Sequence, residues 1–199
     1  MFRRLLKFFI KGHPPRQLRM TYRFDATEYE TASLPSGYRL GQFVEGAENE
    51  WIALLKACGF SMFSGRDAVA NLKQEVLHTL LPAGGVFVYA GNALVACAAA
   101  CARKEFSPNA VVMYVGVLPA HRRKGLGTAV LKGVLSTTQR AGFPGLTLLT
   151  DETRIPAISA YLRLGFRPDS VEKDMQLCWE RILRQMGMES TSNPSLHGN

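Results

Sequence analysis

The stretch Val115-Gly116-Val117-Leu118-Pro119-Ala120-His121-Arg122-Arg123-Lys124-Gly125-Leu126-Gly127-Thr128 decides how this chain is read. An apolar run ends at Val117, a Pro-bearing turn follows, and a basic cluster leads to two glycines that open a segment with helical spacing. The pattern predicts a strand that stops, a loop, and the N-terminus of a helix. Such a junction suits an anion. The first N–H groups of a helix have no partner within it, and its dipole favours negative charge there. Gly125 and Gly127 lack the side chains that would hold a phosphate away from the backbone. The Arg-Arg-Lys run adds donors and long-range attraction.

Around this stretch the chain alternates between two periodicities. A turn at Leu34–Gly37 leads into a strand through about Phe43, and apolar residues at helical spacing mark helices over about 47–58 and 67–80. Val86–Ala90, Ala93–Arg103 and Val111–Val117 read as three strands with short connections, hence as an antiparallel meander. A helix over 125–141 ends at Gly142 and Pro144, Leu146–Thr150 is a buried strand, and a helix over 156–164 stops at Gly165. Phe166–Cys178 is expected to return to the sheet as final strands. The resulting class is α+β, a mixed sheet with helices packed on its faces.

The 199 residues suggest one domain, and 47% hydrophobic content is enough for a core. The net charge of +8 is unevenly placed. Seven of the 24 Lys and Arg residues fall within residues 1–24, which hold no acid, so the rest of the chain carries 17 against 16 acids. The excess therefore belongs to a basic N-terminal arm over residues 1–33, and no nucleic-acid partner is expected for the body. Met1–Lys11 can place its apolar residues on one helix face. A short helix on anionic lipid through residues 1–20, docking on a partner or on the protein body, and a transit peptide all remain open for the arm. No stretch reaches the apolar length of a membrane span. Cys58, Cys97, Cys101 and Cys178 form no CxxC pair and no zinc-spaced cluster with His. They read as reduced, buried thiols, which favours a cytoplasmic protein, with membrane-surface association left open. From about Arg181 the tail, residues 181–199, turns polar and is expected to be disordered.

Arg122-Arg123-Lys124-Gly125-Leu126-Gly127 fits the pattern [RQ]-x-x-G-x-[GA]. One strand downstream, Pro156-Ala157-Ile158-Ser159-Ala160-Tyr161-Leu162-Arg163-Leu164-Gly165-Phe166 is a helix that carries a Tyr and ends at Gly-Phe. In that order the two stretches resemble the GNAT superfamily of N-acetyltransferases, and the resemblance covers about residues 34–180. A P-loop would need GxxxxGK[ST], and a dinucleotide fingerprint a third glycine; neither is present.

The resemblance implies a mostly antiparallel sheet, splayed where acetyl-CoA enters and covered by helices on both faces. It implies that Gly125, Leu126, Gly127 and Thr128 receive the pyrophosphate, with at least one of Arg122, Arg123 and Lys124 on a phosphate. It implies that the backbone of Val115, Gly116 and Val117 pairs with the pantetheine amides. Tyr161 is then the general acid for the departing thiolate. Arg154 departs from the Asn common in the superfamily seven residues before the Tyr. Its place suits a phosphate contact, or a stem laid over the sheet edge. His121 reads as a turn residue without a relay partner. No general base stands out: Glu105, Asp151, Glu152 and a water chain are equivalent choices, and Asp151-Glu152-Thr153 also reads as a helix cap. Phe60, Met62 and Phe63 suit either an acceptor pocket or the core. Cys97 and Cys101, in an apolar strand, make poor nucleophiles.

The expected activity is transfer of an acetyl group from acetyl-CoA directly to a primary amine, on a small molecule or a peptide. Neither metal nor flavin is implied. Two other readings remain open: a CoA-binding regulatory module with an inert acceptor side, and a peripheral membrane protein held by its arm.

Overall fold

A computed structural model describes residues 16–25, 33–169 and 173–188. The strands are β1 (Gln17–Arg23), β2 (Tyr38–Gln42), β3 (Leu80–Ala90), β4 (Ala93–Cys101), β5 (Ala110–Val117), β6 (Gly145–Asp151) and β7 (Arg167–Pro168). The helices are α1 (Glu48–Ala57), α2 (Ala68–Glu75), α3 (Leu126–Arg140), α4 (Ile155–Arg163) and α5 (Lys173–Gln185). The strands are ordered β2-β3-β4-β5-β6-β1-β7. Neighbours are antiparallel from β2 through β5, and β5 pairs with β6 in parallel. The chain divides into two compact units, one of residues 21–148 and one of residues 1–20 with 149–199.

In the larger unit, strand alternation assigns the helices to faces. Trp51 of α1 stacks edge-on against Phe87, with ring centroids 4.9 Å apart. A Cβ built on Gly133 of α3 would lie 2.7 Å from Cγ1 of Val86. Consecutive residues of a strand point to opposite faces, so α1 and α3 cover opposite sides of β3. Both faces of β4 are therefore covered, and Leu94 to Cys101 is buried throughout. Its run of small residues lets the helices come close on either side. Trp51, Phe63, Phe87, Leu131 and Leu135 are among the largest fully buried side chains, each of the kind whose burial contributes roughly 1.5–3 kcal/mol.

Two features of this unit shape β5. Its ladder with β4 slips between Cys97 and Ala99, because four residues of β5 (Met113 to Gly116) answer three of β4 (Cys97 to Ala99). Tyr114, within that slip, has a φ of +51°. This is a bulge, which bends the strand that carries it. The parallel ladder with β6 covers only Ala110–Leu146, Val111–Thr147 and Val112–Leu148. Beyond Val112 no pairing of β5 with β6 is found among the described residues.

Several sequence expectations are corrected. Residues 17–23, expected within the basic arm, form strand β1. Leu18 and Met20 are fully buried while Gln17 and Arg19 are exposed, a period of two. The arginines occupy the outward positions and disguise the strand as a charge run. The expected final strands over 166–178 reduce to β7, and α5 follows. Cys178, Trp179 and Ile182 are its buried residues, a helical spacing. The tail expected to lose order from Arg181 stays helical to Gln185, and Ile182 is 2% exposed. Helix α2 ends at Glu75 and β3 begins already at Leu80. Pro82 sits in the register shift between Leu80 and Gly85, where its missing N–H costs no ladder bond. The helix expected at Met1–Lys11 and the tail beyond residue 188 lie outside the described residues.

Candidate active site

The loop from Val117 to α3 lies within the larger unit. After β5 a single helical turn covers Pro119–His121. Two positive-φ residues then bring the chain round, Arg123 at +62° and Gly125 at +77°. Gly125 is the N-cap of α3, and no side chain caps this terminus. The backbone N–H of His121 bonds to Leu118 O, that of Arg122 to Pro119 O, and that of Ala129 to Gly125 O. Between them, the N–H groups of residues 123 to 128 have no backbone acceptor among the described residues. Six consecutive donors at an uncapped helix start suit an anion. A Cβ on Gly125 would meet nothing within 4 Å, so that glycine is required by its φ. Gly127 differs. Its φ is ordinary, and an added Cβ would come no nearer than 3.7 Å to Cγ2 of Val117.

None of Arg122, Arg123 and Lys124 makes an ion pair with a carboxylate among the described residues. Arg122 donates through Nε to the carbonyl of Val117, 3.1 Å away, and so turns back along β5. The Lys124 ammonium donates to the hydroxyl of Tyr38 at 3.0 Å. That hydroxyl also lies 3.0 Å from Nδ1 of His121. His121 therefore has a partner that the sequence did not indicate.

Gly116 lets α1 approach β5: a Cβ there would lie 3.0 Å from Sγ of Cys58 and 3.3 Å from Leu54. Burial raises the Cys58 thiol pKa, against the opposing pull of the Arg122 charge and a hydrogen bond from the Val117 backbone. Cys97 and Cys101 are fully buried, which pushes their thiols up to about 12 and about 11. At neutral pH neither supplies a thiolate.

On the α1 side, Tyr114 at the bulge packs edge-on between Phe60 and Phe63, centroids 5.3 and 5.1 Å away, and donates to the sulfur of Met62 at 3.0 Å. Phe63 is core, while Phe60 and Met62 are half-buried. The Tyr114 hydroxyl pKa is raised, first by burial and then by the Glu75 carboxylate. Glu75 and Glu105 flank Arg103, at 3.1 and 3.8 Å. Glu105, one of the sequence's base candidates, is thus held in an ion pair, and the Glu75–Arg103 pair was not indicated by the sequence. The two residues are 28 positions apart and lie in elements that only folding brings together.

The smaller unit carries the other named residues. Tyr161 is 8% exposed on α4, with Phe166 packed against its ring at 6.0 Å. Burial pushes its phenol up to about 12, with the Arg154 charge pulling the other way. Arg154 precedes α4 and pairs with Asp151 at 3.0 Å. Asp151 is therefore engaged as well. Glu152 accepts from the Arg16 N–H at 3.2 Å, the Cys178 thiol at 3.1 Å and Arg181 at 2.5 Å. Partial burial alone would raise its pKa, but the Cys178 and Arg16 hydrogen bonds and the Arg181 charge hold it below the ordinary carboxylate value. No group of three or more His, Cys, Asp or Glu side chains that could hold a metal is found among the described residues. No helix among them is long and apolar enough to cross a membrane.

Comparison with the curated proteins gave no match. Among solved structures, the chain is similar to a GCN5-related N-acetyltransferase from Sphaerobacter thermophilus, at 19% identity and a TM-score of 0.67, covering 79% of this chain and 50% of that one. It is similar to the ribosomal-protein-S18-alanine N-acetyltransferase from Escherichia coli at 16% identity and a TM-score of 0.55, covering 67% and 79%. It is also similar to AAC(6')-Iy, solved with the bisubstrate analogue CoA-S-monomethyl-acetylneamine, at 19% identity and a TM-score of 0.58, covering 69% and 95%. The chain thus spans half the length of the first of these proteins and most of the other two. At these identities the likeness is one of fold. The acetyltransferase (GNAT) family model matches residues 48–166, more than half of the chain and the whole run from α1 to the end of the Tyr161 helix, and the chain belongs to the GNAT acetyltransferase family.

Proposed function

We propose that this chain is an acetyl-CoA-dependent N-acetyltransferase that acylates a primary amine directly. The observation that carries the reading is the uncapped start of α3, where the N–H groups of residues 123–128 stand beside three cations that have no carboxylate partner among the described residues. A diphosphate supplies the charge and acceptor oxygens that this site lacks. Acetyl-CoA, when bound, supplies an activated thioester.

In this reading the N–H groups of Gly125, Leu126, Gly127 and Thr128 hold the pyrophosphate, with Arg122, Arg123 and Lys124 around it. The backbone of Val115, Gly116 and Val117 lies beyond the end of the β6 ladder and would line an extended ligand there, although the Val117 carbonyl already accepts from Arg122. Tyr161 is the proton donor. The amine forms its bond to the acetyl carbon as the carbon–sulfur bond breaks, and the Tyr161 proton goes to the departing sulfur. A phenol held at about 12 keeps its proton through the neutral range. The proton lost by the amine goes to solvent, from which the Tyr161 phenolate regains its own, with Glu105, Asp151 and Glu152 each engaged by a cation.

That engagement also favours a second reading, a CoA-binding module with no acceptor chemistry. A thioester-consumption assay over a panel of small and peptide amines separates the two. The enzyme reading expects CoA release that depends on one class of amine. Tight acetyl-CoA binding without turnover on any amine would establish the module instead.

A further inference from the structure

We propose that Tyr38 is a positioning residue of the phosphate loop, which fixes the Lys124 ammonium and the His121 ring beside the N–H groups of α3. The proposal rests on the reading of that loop as a CoA site. Tyr38 opens β2, directly after the Pro35–Gly37 turn, and its Cα is in register with Ala90 of β3. It precedes residues 48–166, so the family match does not include it.

One hydroxyl serves two loop residues. An ammonium can only donate, so the Tyr38 oxygen accepts from Lys124 at 3.0 Å. The same hydroxyl lies 3.0 Å from Nδ1 of His121, a second hydrogen bond whose direction follows the imidazole tautomer. The ring adds two further contacts. Lys124 Nζ lies 5.6 Å from its centroid, and the His121 ring meets it edge-on at 5.8 Å.

The choice of anchor has a consequence for charge. A carboxylate would hold Lys124 more strongly but would neutralise it and compete with phosphate for it. A phenol restrains the side chain and leaves its charge intact. A lysine otherwise gives up much of its rotamer freedom on binding. Preorganisation transfers part of that cost to folding.

The test is calorimetric titration of CoA into the full chain and its Tyr38→Phe, Lys124→Met and double variants, at low and high salt. Tyr38→Phe keeps the ring on a half-buried edge-strand position, and thermal melting checks that the fold persists. The expected result is CoA binding weakened about three- to tenfold by Tyr38→Phe, as for loss of a partly exposed hydrogen bond to a charged group. The loss should vanish in the Lys124→Met background, and the salt dependence of binding should become shallower. An unchanged affinity in Tyr38→Phe, or a loss that persists in full without Lys124, overturns the positioning role while leaving the CoA site in place. Failure of the unaltered chain to bind CoA overturns the reading of the site, and this proposal with it.

Discussion

Gly127→Ala separates a glycine kept for a ligand from one kept for the fold. Gly127 lies in the first turn of α3 and has no positive φ. Its added methyl would find Cγ2 of Val117 at 3.7 Å, an ordinary contact, and nothing nearer. The protein alone therefore has no objection to alanine. Helix propensity favours the change by roughly 0.5–1 kcal/mol. A shift of that size raises the melting temperature by about 1–4 °C in a chain of this length. The ligand is affected in the opposite direction. The methyl fills the space between the start of α3 and the end of β5, among the N–H groups of residues 123–128. Loss of one hydrogen bond to a charged oxygen costs about 1.5–3 kcal/mol, roughly a 10- to 150-fold weaker CoA complex. Differential scanning fluorimetry and CoA titration on the same preparation read both effects. A variant that melts at or above the parent temperature and binds CoA with unchanged affinity would refute the assignment of this loop to phosphate.

Gly133→Ala, in the same helix, should behave oppositely: the new Cβ would lie 2.7 Å from Cγ1 of Val86, and such overpacking costs about 1–3 kcal/mol, read as a lowered melting temperature. A higher one would contradict the packing of α3 on β3. Tyr161→Phe should lower turnover about 10²- to 10⁴-fold with unchanged CoA affinity, and equal turnover would remove its role as acid. Because burial raises the Tyr161 pKa to about 12, the group should cause no alkaline fall in rate below about pH 10, where a free phenol titrates. The folded protein holds that proton more tightly than the unfolded chain, so its contribution to stability is complete below the unfolded value and is lost as pH rises towards about 12. Glu152 has the opposite sign. Its lowered pKa contributes stability above the unfolded carboxylate value that is lost as pH falls through the folded one, and Glu152→Gln should flatten the acid side of the stability profile measured by urea unfolding.

The parts of the fold legible in sequence are those whose signal is local. The β3–β5 meander shows as apolar runs with short connections, and α3 is announced by glycines in front and behind. Strand β1 was hidden because its outward positions are basic, so alternation was masked by charge. Helix α5 was hidden because Leu177, 65% exposed, breaks the apparent apolar face while Cys178 and Trp179 are buried side by side. The bulge at Tyr114 has no local mark at all: Val111–Val117 reads as a plain strand, and a tyrosine is not the residue that positive φ suggests.

The same distinction divides the candidate site, and ion pairing makes it concrete. In sequence Arg122, Arg123 and Lys124 are candidates for phosphate, and Arg154 suits either a phosphate contact or a stem laid over the sheet edge. In the fold Arg154 is held by Asp151, three residues before it, so its charge is already met within the smaller unit and serves the helix start and the Tyr161 phenol. The loop cations have no such carboxylate among the described residues, and the hydroxyl that accepts from Lys124 comes from a residue 86 positions away. A sequence motif can therefore supply the charge and the glycines of an anion site, but whether a given cation remains available to a ligand depends on partners brought by distant strands. Under the proposed function, phosphate recognition would rest on residues 122–128, with Arg154 part of the scaffold. Arg154→Ala should then leave CoA affinity within about twofold, as for loss of an exposed ion pair, whereas Arg122→Ala should weaken it severalfold; CoA titration that ranked them the other way would return Arg154 to the site.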